Sequence, residues 1–266
     1  MIVQSFIIAL NLIDHLKGKL MTATDKIITS LGISRLAFHL ICLFIIVQLF
    51  VSGTEPVMYS YITLSFIAWL LSGSSIWLSA LLSVFLCLKI SNFNNVFFLR
   101  LRGLISQNLT RIIVLSILCS GGYSSLYFMV VYDGQPNNST EAQPNGLRRP
   151  EVKQFLLLLW NIICFLVYFL SSLLIIISLC LHMSRIKTEK NATCKMGTYI
   201  KTLTFIVVTF LTCAAFSILS QFDDYLFTTF GILVFHIIWN LFPILHSIYL
   251  LCANAKLRNG LFRLQC

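Results

Sequence analysis

The stretch FPILHSIYLLCANAKLRNG, Phe242–Gly260, opens apolar enough for a membrane and closes on a polar, basic segment. Pro243, His246, Ser247 and Asn254 stand inside or beside that apolar run, where polar groups are costly. The rest of the chain says what solvent they meet. Apolar residues make up 58% of the 266 and charged residues 11%, with a mean hydropathy of +0.89. A soluble domain carries roughly 25% charge. There is more apolar surface here than one water-soluble core buries, which points to a polytopic, all-α membrane protein in contact with lipid.

Apolar runs of about 20 residues span a bilayer as helices. They fall at 27–50, 58–88, 109–132, 155–181, 199–222 and 226–253. A further one, Ile2–Ile13, reaches only about 20 Å at 1.5 Å per residue, short of a hydrocarbon core of roughly 30 Å. It lacks the basic flank and small-residue cleavage site of a signal peptide. The expectation is a seven-transmembrane helix bundle forming one domain over 1–266, its first helix truncated at its start.

Fifteen of the nineteen Lys and Arg residues lie on one side of these spans. They include Lys17, Lys19 and Lys26 after the first span, Arg100 and Arg102 after the third, Arg185 and Lys187 after the fifth, and Lys256 and Arg258 after the last. The opposite loops hold only Arg148, Arg149 and Lys153. The positive-inside rule therefore places the amino end outside and the carboxyl end in the cytoplasm. The formal net charge of +10 is a topology signal and not the footprint of nucleic-acid binding. Residues 133–154 form the long external loop, 182–201 a cytoplasmic loop and 254–266 a cytoplasmic tail. The external loop carries overlapping glycosylation acceptors at Asn137 and Asn138.

None of the nine cysteines falls in an external loop, so no extracellular disulfide is expected, and neither CxxC pairs nor zinc spacings occur. No P-loop, G-x-G-x-x-G, H-E-x-x-H or G-x-S-x-G is present, so neither enzyme, cofactor nor metal is expected. No Asp or Glu sits in the middle of a span, which disfavours a pump or cation channel. The ionisable residues that do lie within spans are Arg35, His236 and His246, with His39 a turn beyond Arg35 as a bundle-facing polar residue. Thr22-Ala23-Thr24-Asp25 has the form of a capping box at the start of the second helix.

Four blocks then sharpen the reading. Asn11–Leu36 (NLIDHLKGKLMTATDKIITSLGISRL), Trp77–Phe93 (WLSALLSVFLCLKISNF), Ser178–Arg185 (SLCLHMSR) and Phe242–Arg258 (FPILHSIYLLCANAKLR) occur in this order. They resemble the first cytoplasmic loop with the second helix, the third helix, the end of the fifth and the seventh helix of the bitter taste receptors (type 2 taste receptors). The resemblance implies a G-protein-coupled receptor at the plasma membrane. Such a receptor senses small bitter compounds in an outer transmembrane pocket and activates a gustducin-like heterotrimeric G protein. Two alternatives are a vomeronasal type 1-like pheromone receptor and a small-solute transporter. Transport calls for inverted repeats or broken helices with midplane charge.

In that family a His-Ser pair, here His246-Ser247 after Pro243, stands where many seven-helix receptors carry an NPxxY turn. Asn254, Lys256 and Leu257 resemble its N-x-K-L exit. Arg35 is implied to meet a first-helix amide, here Gln4, and the seventh-helix serine, here Ser247. Arginine keeps its proton, so it needs acceptors inside the bundle. Arg35, Pro243, His246 and Ser247 are thus structural or switch residues. The pocket positions implied are Ser72 on the third helix, Phe216 on the sixth and His236 on the seventh; the family's pocket tryptophan falls on Ala68, with Trp69 one position off as the candidate in its place. Trp160 and Asn161 lie in the outer half of the fifth. Serine at 72, phenylalanine at 216 and histidine at 236 all depart from the family's common residues, so ligand preference does not transfer from a relative.

Overall fold

The computed structural model describes residues 1–51, 58–90, 96–132, 150–186, 192–219 and 222–265. Among them are eight α-helices and no strand. These are α1 (Ile2–Leu16), α2 (Ala23–Val51), α3 (Met58–Ile90), α4 (Val96–Tyr132), α5 (Pro150–Ile186), α6 (Ala192–Leu219), α7 (Asp223–Ala253) and α8 (Ala255–Gln265). In hydrocarbon every backbone N–H and C=O must be bonded within its own segment, and a helix does that. Four helices carry stretches long and apolar enough to cross a bilayer: Ala23–Gln48, Ser60–Lys89, Leu99–Met129 and Leu158–Cys180. Among the described residues the apolar stretches of α1, α6 and α7 are shorter: Ile2–Leu16, Ile206–Phe216 and Ile237–Ala253.

Three boundaries move relative to the hydropathy reading. Helix α5 already begins at Pro150, inside the stretch assigned to the external loop 133–154. Between 182 and 201, α5 runs on to Ile186 and α6 starts at Ala192. The tail 254–266 is helical from Ala255 to Gln265. Hydropathy marks where lipid would end, whereas a helix ends where its hydrogen-bond ladder loses a partner. Helix α4 shows the difference within one element. Its run from Val96 is interrupted at Asn108 (φ −105°, ψ 17°), beside the expected span start at 109, and the Asn108 side chain bonds back to the Leu104 carbonyl at 3.2 Å.

Helix α3 occupies the middle of the packing, against α2, α4 and α5, while α1 lies on α2 and α7, and α8 on α7 and α1. The bundle sets many small polar side chains among an apolar core and turns large apolar side chains outward. Ser74, Ser75, Ser79, Ser83, Ser120 and Ser124 are buried, whereas Phe44, Leu115, Leu118 and Leu170 are exposed. An exterior so rich in large apolar side chains suits lipid rather than water. At the α8 end, Ile7, Ile27, Ile28, Leu31, Leu78, Leu250 and Leu257 form one core. A second, aromatic one joins Tyr168, Phe216, Trp239 and Phe242.

Helix α7 is two helical pieces meeting at Gly231, whose φ of 77° and ψ of 170° suit glycine alone. Gly231→Ala is expected to cost about 1–3 kcal/mol through backbone strain. An unchanged unfolding midpoint in detergent would show that the joint re-forms without that strain.

Candidate functional site

Arg35 is fully buried on α2. Its guanidinium reaches two helices at once. On α3, Nε donates to Ser75 Oγ at 2.9 Å and the NH2 group to Ser79 Oγ at 2.9 Å. These serines are four apart, so one helical turn stacks them on the same face at the spacing of the guanidinium fork. On α7, the NH1 group donates to Ser247 Oγ at 2.8 Å, to His246 Nδ1 at 3.0 Å and, more distantly, to the Pro243 carbonyl at 3.4 Å. No carboxylate among the described residues pairs with it. The charge is carried by hydroxyl, imidazole and carbonyl dipoles alone.

The α7 side of this hub lies at and just past Pro243, whose missing N–H weakens the helical ladder one turn back, toward Trp239. Ser247 Oγ donates back to the Pro243 carbonyl at 2.8 Å. Its two lone pairs then accept from Arg35 and from Gln4 Nε2, the latter at 3.4 Å. Gln4 does not touch Arg35 itself. Its Nε2 also reaches His39 Nε2 at 3.3 Å, and the His39 Nδ1–H bonds Asn240 Oδ1 on α7. The amide implied as a direct neighbour of Arg35 is thus a second-rank partner, joined through Ser247. Its Oε1 has no hydrogen-bond partner among the described residues.

At the α8 end a second polar cluster closes the bundle. Thr22 and Asp25 form the reciprocal capping box, with Asp25 N to Thr22 Oγ1 at 3.2 Å and Thr22 N to Asp25 Oδ2 at 3.3 Å. Lys256 of α8 inserts between α1 and α2. Its Nζ lies 2.9 Å from Asn11 Oδ1, 3.2 Å from Asp14 and 3.3 Å from Asp25. The Lys19 and Lys256 ammonium groups hold the Asp14 carboxyl below its ordinary value. Asn254 caps α8, its Oδ1 accepting from the Lys256 and Leu257 amides at 3.0 and 3.4 Å. The polar exit Asn254–Lys256 therefore starts one helix and pins it to two others.

Of the implied pocket positions, Trp69 and Phe216 come together through Trp239. Trp69 meets Trp239 at 5.3 Å between ring centroids and Tyr127 at 4.7 Å, and Phe216 meets Trp239 at 5.1 Å and Phe242 at 4.8 Å. Ser72 is buried on α3. Trp160 joins a different group, stacked on Tyr123 at 4.1 Å and edge-on to Trp77 at 5.5 Å. The side chains of Asn161 and His236, and all of Asn137 and Asn138, lie outside the described residues. Sequence reasoning missed Ser75, Ser79, Asn240, Trp239 and the acids that meet Lys256. The one available signal was the i, i+4 spacing of Ser75 and Ser79 in an otherwise apolar helix.

An all-helical chain with an apolar exterior and a hydrogen-bonded cationic hub inside is a multi-pass membrane protein. Its receptor class comes from comparison with known proteins. The family model for Taste receptor protein (TAS2R) matches residues 1–265, and the chain belongs to that family. It is similar to Taste receptor type 2 member 50 of Homo sapiens and of Pongo pygmaeus, each 27% identical over 226 residues, covering 80% of this chain and 73% of the relative. The Macaca mulatta protein of that name is 29% identical over 227 residues, with the same coverage. The family is that of bitter taste receptors of the G-protein-coupled class and not of enzymes. It does not favour the pheromone-receptor or transporter readings.

Proposed function

We propose that this chain crosses the plasma membrane seven times, with its amino end outside and its carboxyl end in the cytoplasm. It takes small bitter compounds into the outer half of the bundle and passes the change to a heterotrimeric, gustducin-like G protein on the basic cytoplasmic face. The observation that carries the reading is the Arg35 hub, which ties α2, α3 and α7 together by hydrogen bonds, with no ion pair among the described residues. Interhelical bonds of this kind are worth roughly 0.6–2 kcal/mol each, enough to bias a two-state bundle without locking it. Trp69, Trp239, Phe216 and Phe242 form a continuous aromatic contact that leads to the Pro243–Ser247 turn, so a ligand pressing on it acts on the hub. The family resemblance supports Ser72, Phe216 and His236 as ligand-facing positions, with Trp69, one position from the family's tryptophan site at Ala68, as a further candidate and Trp160 and Asn161 at the margin. The external loop would carry glycan at Asn137 or Asn138.

The test is a calcium assay in cells expressing a G-protein chimera, run on a panel of bitter compounds with solute uptake measured alongside. Ligand-dependent calcium without uptake supports the receptor, and uptake without a calcium response overturns it.

The pocket is expected to favour neutral compounds over quaternary amines. A buried ammonium without a counter-charge forfeits its hydration, and no Asp or Glu sits in the middle of any span. Aromatic walls return only about 0.5–2 kcal/mol to a cation. His236→Glu should therefore gain response to the amines. A native response greatest for amines, unchanged by that substitution, would refute this picture.

A further inference from the structure

Between α3, α5, α6 and α7, beside His246, lies a small cavity of about 20 Å³. Its wall is mostly apolar, with Leu82, Leu86, Ile175 and Ile206 in it, and Ser79, Ser83, Tyr168, Ser172, Thr209 and His246 add polar groups. Roughly 10–15 Å³ suffices for one water. What the cavity asks for follows from where each hydrogen already goes.

Arginine has no acceptor, so in the bond to Arg35 it is His246 Nδ1 that accepts. The neutral ring then carries its proton on Nε2, at the opposite edge. His246 is 3% exposed, and Nε2 has no hydrogen-bond partner among the described residues. Ser79 gives its hydrogen to the Ser75 carbonyl at 2.7 Å. Ser171 gives its own to the Tyr168 carbonyl at 3.0 Å, so in the 2.8 Å pair with Ser83 it is Ser83 that donates. Thr209 donates to the Ile206 carbonyl at 3.0 Å, and the Tyr168 hydroxyl bonds Thr209. Ser172 has only a 3.4 Å approach to Ser83. The cavity thus receives one firm N–H, one weakly engaged O–H, and the lone pairs of Ser79, Ser83 and Tyr168.

That set rejects an anion in spite of the nearby guanidinium, because three oxygens would turn lone pairs toward it. It rejects an apolar group, which would strand the His246 N–H. It matches a molecule that accepts two hydrogen bonds and donates two. We propose that this cavity is a binding site for a single ordered water. The water accepts from His246 Nε2–H and the Ser172 hydroxyl and donates to two of the oxygens of Ser79, Ser83 and Tyr168. It extends the Arg35 hub to α5, which no direct bond from Arg35 or His246 reaches. The proposal rests on donors and acceptors alone, so a receptor that fails to signal leaves it standing.

The test is structure determination of the full chain in nanodiscs at a resolution that shows waters, once in chloride and once in bromide. The expected result is one peak about 2.7–3.2 Å from His246 Nε2 and from a serine or tyrosine oxygen, identical in both salts. A peak that scatters as bromide, or none, overturns the proposal. A thermal-unfolding cycle checks the link separately. Ser172 and His246 share no direct hydrogen bond, so Ser172→Ala and His246→Phe should lower the midpoint by less together than the sum of the single effects, by about 2–4 °C. Strictly additive shifts would deny that the water joins them.

Discussion

Arg35→Ala and Ser247→Leu are each expected to destabilise the bundle, and their effects in combination are expected to fall short of the sum. Truncating a fully buried side chain of this size leaves a cavity costing about 2–5 kcal/mol. Leucine at 247 overpacks a closed site, at about 1–3 kcal/mol, and removes an acceptor from both Arg35 and Gln4. Residues in one hydrogen-bond network couple by about 0.5–3 kcal/mol. Thermal unfolding of the two single variants and the double variant measures that coupling. Strict additivity would mean that the 2.8 Å contact contributes nothing.

Arg35→Met separates folding from switching. Methionine fills much of the volume and removes a charge that has no carboxylate partner, and replacing buried charges by apolar groups is often neutral or stabilising. Ser79 and Ser247 keep their own backbone acceptors. The variant is expected to hold its unfolding midpoint while losing its ligand response. A fully responsive Arg35→Met receptor would reduce the hub to a structural tie.

Lys256→Met is expected to release α8. Asp25 is buried beneath it and would keep only the Thr22 amide on its Oδ2, so the buried carboxylate loses its one cationic partner among the described residues. The loss should appear as faster hydrogen exchange over 255–265 and lower surface expression, with α2 and α3 protected as before. Acid should do part of the same. The Asp14 carboxyl is held below its ordinary 3.8 by its bonds to Lys19 and Lys256. A depressed folded value contributes stability that is full above about pH 4 and is lost as the pH falls through the lowered value. Acid release of α8 should therefore be blunted in Lys256→Met, and unaltered acid sensitivity would remove Asp14 from the account.

The sequence and the structure divide unevenly over these sites. The capping box at Thr22–Asp25 was legible because it is local: two side chains three residues apart satisfy each other's backbone amides. The pairing of Arg35 with Ser247 was legible only through family resemblance, since the two lie 212 positions apart. The displacement of Gln4 from Arg35 was not legible, because it depends on where Ser247 stands. The convergence of Asp14, Asp25 and Asn11 on Lys256 was hidden for a different reason. Asn11 reads as a polar residue of the first span, Asp14 as one just after it and Asp25 as a helix cap until α8 folds back across the base.

By itself, the sequence determined the helical, membrane-embedded character of the chain and an expectation for the sidedness of its charge. Both follow from composition and order along the chain: apolar run length matches the thickness of hydrocarbon, and basic residues stay on the side where they are made. Tertiary structure alone decided which polar groups share a hydrogen bond, that α8 lies against α1, and that His246 meets Arg35 through Nδ1 while lining a cavity. Hydrogen bonds are short and directional, and a displacement of one ångström makes or breaks them. Such distances are set only when all the helices have packed.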